Sequence, residues 1–254
     1  MKVIRYNDVS MDAIRSSMLS QSKTFVIERK SGNRSIFING HRYTSQRKKA
    51  YMKEVNSKTG RSIIGNVRRH VNDYVRRHKF NIKEVELKHK STMTYKARFK
   101  DLPDGQKFYY VDIKHCYWRI AYLIGVIPKG LYNKYRDDYK LTRNIALSTL
   151  VSQPQREYYI DGELINTITC ENDIYKKIYK NIRYTAYNNM GSIFEAVNDH
   201  SLGYHIDGIY VLEPGLAEVR RLLKNRNYPY RTINCEKLND KEYRYGEDEV
   251  KTFR

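Results

Sequence analysis

Gly203-Tyr204-His205-Ile206-Asp207-Gly208-Ile209-Tyr210-Val211-Leu212 is the stretch that decides the fold. Two apolar, β-prone segments flank an Asp-Gly pair, which is the composition of a tight hairpin, and Asp-Gly favours a type I′ turn. The flanks are apolar enough to predict a hairpin buried in a sheet. A carboxylate on a buried hairpin needs a partner, and a divalent cation is a natural one. A second run, Phe108-Tyr109-Tyr110-Val111-Asp112-Ile113, reads as a buried strand that reaches another Asp just before a helix. A carboxylate there projects from a sheet edge into a crevice, where metal ligands often lie.

Outward from these runs, the pattern continues as mixed α and β. Tyr117, Ile120, Ala121 and Ile124 form one helical face, bounded by Gly125 and Pro128. Residues 131–152 read as helical, 157–165 as a hairpin about Asp161-Gly162, and 172–198 as a long helix striped by Ile174, Ile178, Ile182, Ala186, Met190, Ile193 and Val197. Residues 215–225 read as a helix, 230–234 as a strand, and the tail as charged. The order predicts an α+β domain with helices packed on one face of an antiparallel sheet. Upstream, 22–42 reads as a hairpin, 45–56 as a basic helix, and 61–78 as a helix with Ile63, Val67, Val71 and Tyr74 on its buried stripe. Arg68, Arg69, Arg76 and Arg77 fall on the opposite face of that helix. Pro103-Asp104-Gly105 marks a change in composition, so the chain is divided into a basic module over 1–102 and a core over 103–254.

Charge sharpens that division. Residues 1–100 hold 25 Lys+Arg against 7 Asp+Glu, whereas residues 101–254 hold 23 against 21, so nearly all of the net +20 lies in the first part. Such a block is the footprint of a polyanion, and nucleic acid is the commonest one. The arginine face of residues 61–78 is the candidate for tracking a phosphate backbone. The run Tyr175, Lys176, Lys177, Tyr179, Lys180, Arg183, Tyr184, Tyr187 mixes base-stacking and phosphate-binding side chains, and it equally fits an amphipathic helix with a wet basic face. Tyrosine is abundant, with 24 copies, and serves either stacking or the edge of a core. No apolar run approaches membrane-spanning length, the first six residues are too polar for a signal peptide, and Cys116, Cys170 and Cys235 are scattered. These features predict a protein of the reducing cytoplasm with no membrane partner. A phosphate-binding GxxxxGK[ST] loop, HExxH and GxSxG are all absent from the sequence, which leaves the two-carboxylate chemistry.

Two motifs carry a family resemblance. Phe108-Tyr-Tyr-Val-Asp112-Ile-Lys-His-Cys-Tyr117 resembles the first catalytic motif of family-B DNA polymerases, D-x-x-S-L-Y-P after an apolar strand. His205-Ile-Asp207-Gly-Ile-Tyr-Val211 resembles the motif D-T-D-S-I-x-V, with His205 in place of its first Asp and Gly208 in place of its Ser. Between them, Thr142–Leu150 resembles, in apolar rhythm and basic character, the helix motif K-x-x-x-N-S-x-Y-G. The resemblance implies a reduced polymerase palm of the phage or mobile-element kind. It gives Asp112 and Asp207 the catalytic role of holding two Mg²⁺ (or Mn²⁺) ions, about 3.5–4 Å apart in such sites. It sets Tyr117 against the nucleotide sugar, where it excludes a 2′-hydroxyl. Lys140 and Arg143, near the middle motif, are candidates for binding the incoming triphosphate. A DNA primer–template is the implied partner, together with other replication subunits. Departures run alongside: only 36 residues separate Asp112 from Ser148, which shortens the fingers, and 43 residues follow Val211, which leaves no large thumb. A palm that binds nucleic acid without catalysis is the rival expectation.

Overall fold

The computed structural model describes residues 2–6, 8–21, 23–30, 33–39, 41–45, 52–78, 81–151, 155–169 and 172–253. In chain order it runs β1 (Lys2–Tyr6), α1 (Asp8–Ser20), β2 (Phe25–Lys30), β3 (Asn33–Ile38), β4 (His41–Ser45), α2 (Met52–Asn56), α3 (Lys58–His78) and β5 (Met93–Thr94). Next come α4 (Lys96–Asp101), β6 (Lys107–Ile113), α5 (Cys116–Leu123), α6 (Lys129–Tyr135), α7 (Lys140–Ser148), β7 (Gln155–Ile160) and β8 (Glu163–Thr169). The chain ends with α8 (Asp173–Ala196), β9 (Ser201–His205), β10 (Gly208–Val211), α9 (Glu213–Asn225), β11 (Tyr230–Lys237), β12 (Glu242–Tyr245) and β13 (Glu249–Thr252). The fold is α+β, and among the described residues every strand pairing is antiparallel except β1 with β4.

By contacts the chain forms two compact units, residues 1–69 with 141–179, and residues 70–140 with 180–254. Residues 70–102 therefore fold with the second unit and not with a module ending at 102. The first unit holds a sheet in the order β1-β4-β3-β2-β7-β8. The 157–165 hairpin, expected beside the strands of the C-terminal core, joins this sheet instead. The cause is cross-strand pairing of β2 with β7: Phe25 stacks on Tyr159 with ring centroids 4.5 Å apart, and Arg156 meets Glu28 at 3.1 Å. The 22–42 hairpin forms as β2 and β3, and its turn at 31–32 lies outside the described residues. The expected basic helix over 45–56 is described only as α2, since 46–51 also lie outside them.

The second unit holds a sheet in the order β13-β12-β11-β6-β10-β9-β5. Its core is aromatic. Phe99 and Phe253 stack at 4.2 Å, and Phe108, Tyr210 and Tyr243 pack against them with Leu202 and Cys235. The Tyr210 and Tyr243 hydroxyls satisfy one another at 3.0 Å, which lets two phenols be buried. Part of the tyrosine excess is thus core. The charged tail turns out to be β12 and β13, with Tyr243 inward and Glu242 and Arg244 outward. The helix expected over 131–152 is broken between α6 and α7, where Tyr139 adopts a left-handed φ of 56°.

Residues 81–90 form an extended strap on α8, held by two asparagines. Asn181 accepts from the Val85 amide and donates to the Lys83 carbonyl, both at 2.8 Å. Asn188 repeats the arrangement three strap residues on, accepting from the Lys88 amide at 2.8 Å and donating to the Glu86 carbonyl at 2.7 Å. The spacing matches: seven helical residues rise about 10.5 Å, and three extended residues span about 10 Å. Gly191 belongs to the same device, because a Cβ there would run into the His89 ring.

Candidate active site

Strand β6 is flanked by β10 on one side and β11 on the other, and Asp112 lies opposite Gly208 on the first and Arg231 on the second. Asp207, one residue before Gly208, is thereby carried to the same end of the sheet as Asp112. The Ile113 amide fixes the junction by donating to the Asp207 carbonyl at 2.7 Å.

The hairpin that delivers Asp207 is not the type I′ turn expected of Asp-Gly. His205 pairs with Gly208, so the loop is Ile206-Asp207, and none of Ile206, Asp207 and Gly208 has a positive φ. Asp161-Gly162 makes the contrast, with φ of 50° and 83° as a type I′ turn requires. The glycine at 208 has another cause: a Cβ there would collide with the Tyr110 hydroxyl and ring edge, on the neighbouring strand. Asp207 is thus displayed beside a crowded, half-buried aromatic and not spent on type I′ turn chemistry.

The electrostatics follow from this crowding. Burial raises the Asp207 pKa to about 6, and the Asp112 charge pushes it the same way, while Lys140 and Arg231 pull it down. The Asp112 carboxylate accepts from Arg231 Nε at 2.8 Å and is 14% exposed, against 54% for Arg231. Burial and the two carboxylates together hold the Tyr110 phenol protonated. His205 has its pKa lowered by burial, which favours the neutral imidazole. Two carboxylates thus share a desolvated corner with two cationic side chains nearby.

A raised carboxyl pKa makes folding favour the protonated form. The contribution is fully present below the unfolded value near 3.8 and is lost as pH rises through the folded value near 6. Asp207→Asn is therefore expected to stabilise the protein at pH 7.5 by about 1–3 kcal/mol, a gain that shrinks to nothing by pH 4. Thermal melts of both proteins across that range check it. A gain that persists at pH 4, or none at pH 7.5, would show that burial does not penalise this charge.

Tyr117 lies in the first turn of α5, where its half-buried hydroxyl hydrogen-bonds with that of Tyr187, and both burial and this contact raise its pKa. Arg183 donates to the Tyr187 hydroxyl at 2.9 and 2.7 Å, so a three-residue chain orients the Tyr117 ring. Lys140 is exposed at the start of α7 and lies near enough to Asp207 for its charge to act there. Arg143 is 2% exposed inside the first unit, so its guanidinium is not presented to solvent.

On α3 the Ile63, Val67 and Val71 stripe is buried and Arg68, Arg69, Arg76 and Arg77 are exposed, with Asp73 3.9 Å from Arg76. On α8, Lys176 lies 3.9 Å from Asp173, Lys177 is half-buried and Lys180 meets Glu84 at 2.9 Å. Arg231 is the site residue that sequence reading did not single out, whereas Tyr110 was read only as part of an apolar strand and Tyr187 only as a member of the basic, tyrosine-rich helix run. Alternation along β11 carries the only signal for Arg231, and register across three strands is needed to read it.

Among the described residues no group of three or more His, Cys, Asp and Glu side chains is arranged to hold a metal ion. Two carboxylates are nonetheless a fit for Mg²⁺, which keeps several waters and takes one or two protein carboxylates together with substrate phosphates. Comparison with known proteins finds no matching family model, no matching curated protein and no matching solved structure.

Proposed function

We propose that the second unit is a reduced palm that carries out template-directed nucleotidyl transfer, as the resemblance to family-B DNA polymerases implies. The observation that carries the reading is the register placing Asp112 opposite Gly208, with Asp207 next to it and desolvated. Asp112 and Asp207 would hold Mg²⁺ or Mn²⁺, which when bound activates the primer hydroxyl and offsets charge on the reacting phosphate. The chain's own part is positional. Strand β6 carries Asp112 and the two-residue turn leading into β10 carries Asp207, and the Ile113 amide bond to the Asp207 carbonyl ties the two together, so little reorganisation accompanies cation binding. The half-buried Tyr110 phenol lies near enough to both carboxylates for their charges to act on it. Lys140 offers an exposed ammonium beside Asp207, suited to a triphosphate oxygen. The exposed arginines of α3 would contact the nucleic-acid backbone, and the α8 lysines 176, 177 and 180 would add to that charge. The test is extension of a primer on a template with Mg²⁺ or Mn²⁺.

Tyr117 takes the sugar-side position in this reading, with Tyr187 and Arg183 behind it. Tyr117→Ala is expected to relax discrimination against ribonucleotides by about ten- to a hundredfold, read as the ratio of kcat/KM for deoxy- and ribonucleotides. An active enzyme whose ratio stays within twofold after that change removes Tyr117 from the site.

A second reading rests on a specific observation. Arg231 already neutralises Asp112, and Lys140 lies near Asp207, so the corner is charge-balanced by protein alone. With His205 where the family motif has its first Asp, this favours a palm that binds nucleic acid without catalysing. No described helix is long and apolar enough to cross a membrane.

A further inference from the structure

Arg231 stands on β11 directly across from Asp112, and its Nε occupies one carboxylate oxygen at 2.8 Å. The pair is asymmetric. Asp112 is largely enclosed by the strands on either side, whereas more than half of the Arg231 side chain is in solvent. Such an ion pair is weak, because the arginine keeps much of its hydration and its freedom to leave. A divalent cation binding at Asp112 must either tolerate a guanidinium within ion-pair distance or replace it, and like-charge repulsion at that range favours replacement.

A displaced Arg231 would not be idle. Its guanidinium keeps a full charge and a fork of donors that matches phosphate oxygens better than it matches a single carboxylate oxygen. The stem remains fixed to β11, so the head stays at the mouth of the same corner. A phosphate arriving there would remove the competitor from Asp112, and a cation on Asp112 would release the group that binds the phosphate. Binding of one then favours binding of the other by the same factor.

We propose that Arg231 is a resident counter-cation that competes with the divalent metal for Asp112 and passes to substrate phosphate when the metal binds. This rests on the nucleotidyl-transfer reading for the identity of the metal and the phosphate, and it assigns a regulatory role to a residue outside the motifs. It also accounts for a carboxylate pair that is charge-balanced without metal and yet suited to hold one.

The test is Mn²⁺ binding by the full chain without nucleotide or nucleic acid, followed by the electron paramagnetic resonance signal of free Mn²⁺. Arg231→Gln is expected to bind Mn²⁺ about five- to tenfold more tightly than the wild type. Arg231→Lys, which restores a cation, should fall back toward the wild type, and Asp112→Asn in the Arg231→Gln background should lose the gain. Thermal melts establish that each variant is folded, which the exposure of Arg231 favours. The proposal is overturned if folded Arg231→Gln binds no more tightly than the wild type, if Arg231→Lys binds as tightly as Arg231→Gln, or if neither binds at millimolar Mn²⁺. A wild type that extends primers alongside any of these results loses only the role of Arg231. A wild type that neither extends primers nor binds Mn²⁺, with Arg231→Gln equally silent, loses the transfer reading as well.

Discussion

Asp112→Asn and Asp207→Asn should each abolish metal-dependent primer extension, by a factor on the order of a thousand or more, while leaving nucleic-acid affinity within a few-fold of the wild type. The substitution keeps side-chain shape and removes one negative charge, so folding is preserved and cation affinity is not. Asp207→Asn in particular should fold at least as well as the wild type, because it relieves a buried charge beside another carboxylate. Loss of extension in a variant that melts higher would be hard to ascribe to misfolding. The two carboxylates act on one pair of cations, so the double variant should be little worse than either single one. A wild type without activity, with nucleic-acid binding intact, would select the non-catalytic palm. Activity that survives both single changes would end the two-carboxylate reading.

Reversing Arg68, Arg69, Arg76 and Arg77 to Glu should weaken nucleic-acid binding equally for all sequences, and about a hundredfold more strongly at ~0.05 M salt than at ~0.2 M. The physical basis is counterion release. Four phosphate contacts contribute a slope near four in log affinity against log salt, and the reversed protein should show a slope smaller by about that amount. All four arginines are exposed while Ile63, Val67 and Val71 anchor the opposite side of α3, so the change touches charge and not packing. Salt-insensitive binding by the wild type would dismiss a phosphate-tracking role for this helix. Deleting residues 1–102 is not an equivalent test. It would also remove Phe99 from the aromatic core, together with β5 and the strap that the α8 asparagines hold.

Local pattern carried much of the fold. The buried stripes of α3 and α8 were legible because four- and three-residue spacing over more than twenty residues has few alternatives. The two carboxylate-bearing strands were legible because apolar runs that short, bounded by turn chemistry, have few helical readings. What local pattern does not contain is which strands pair. Nothing within Gln155–Thr169 says that β7 lies against β2, since that choice is made by Phe25 and Glu28, over a hundred residues away. The same holds at the site. Asp112, Asp207 and Tyr117 carry motif spacing, but Arg231 gains its meaning from register across β11 and β6, and Gly208 from the ring of Tyr110. The Asp-Gly dipeptide at 207–208 misled on turn type for that reason, because a glycine excused by a close ring reads identically to one demanded by a positive φ. In the tail, Glu242-Tyr243-Arg244-Tyr245 alternates as a half-buried strand should, and its charge masked that period.

The two asparagines on α8 grip only backbone groups of the strap, and the strap side chains between Lys83 and Lys88 are exposed or half-exposed. What is recognised there is distance along the chain and not the identity of any residue. A seven-residue step on the helix is registered against a three-residue step on the strap, as two scales sharing a common division. Replacement of Glu84, Glu86 or Leu87 leaves both grips in phase, whereas inserting or deleting one residue between Val85 and Lys88 puts one of them out of phase. Across descendants of this sequence, the stretch between Val85 and Lys88 should drift in composition while its length stays fixed.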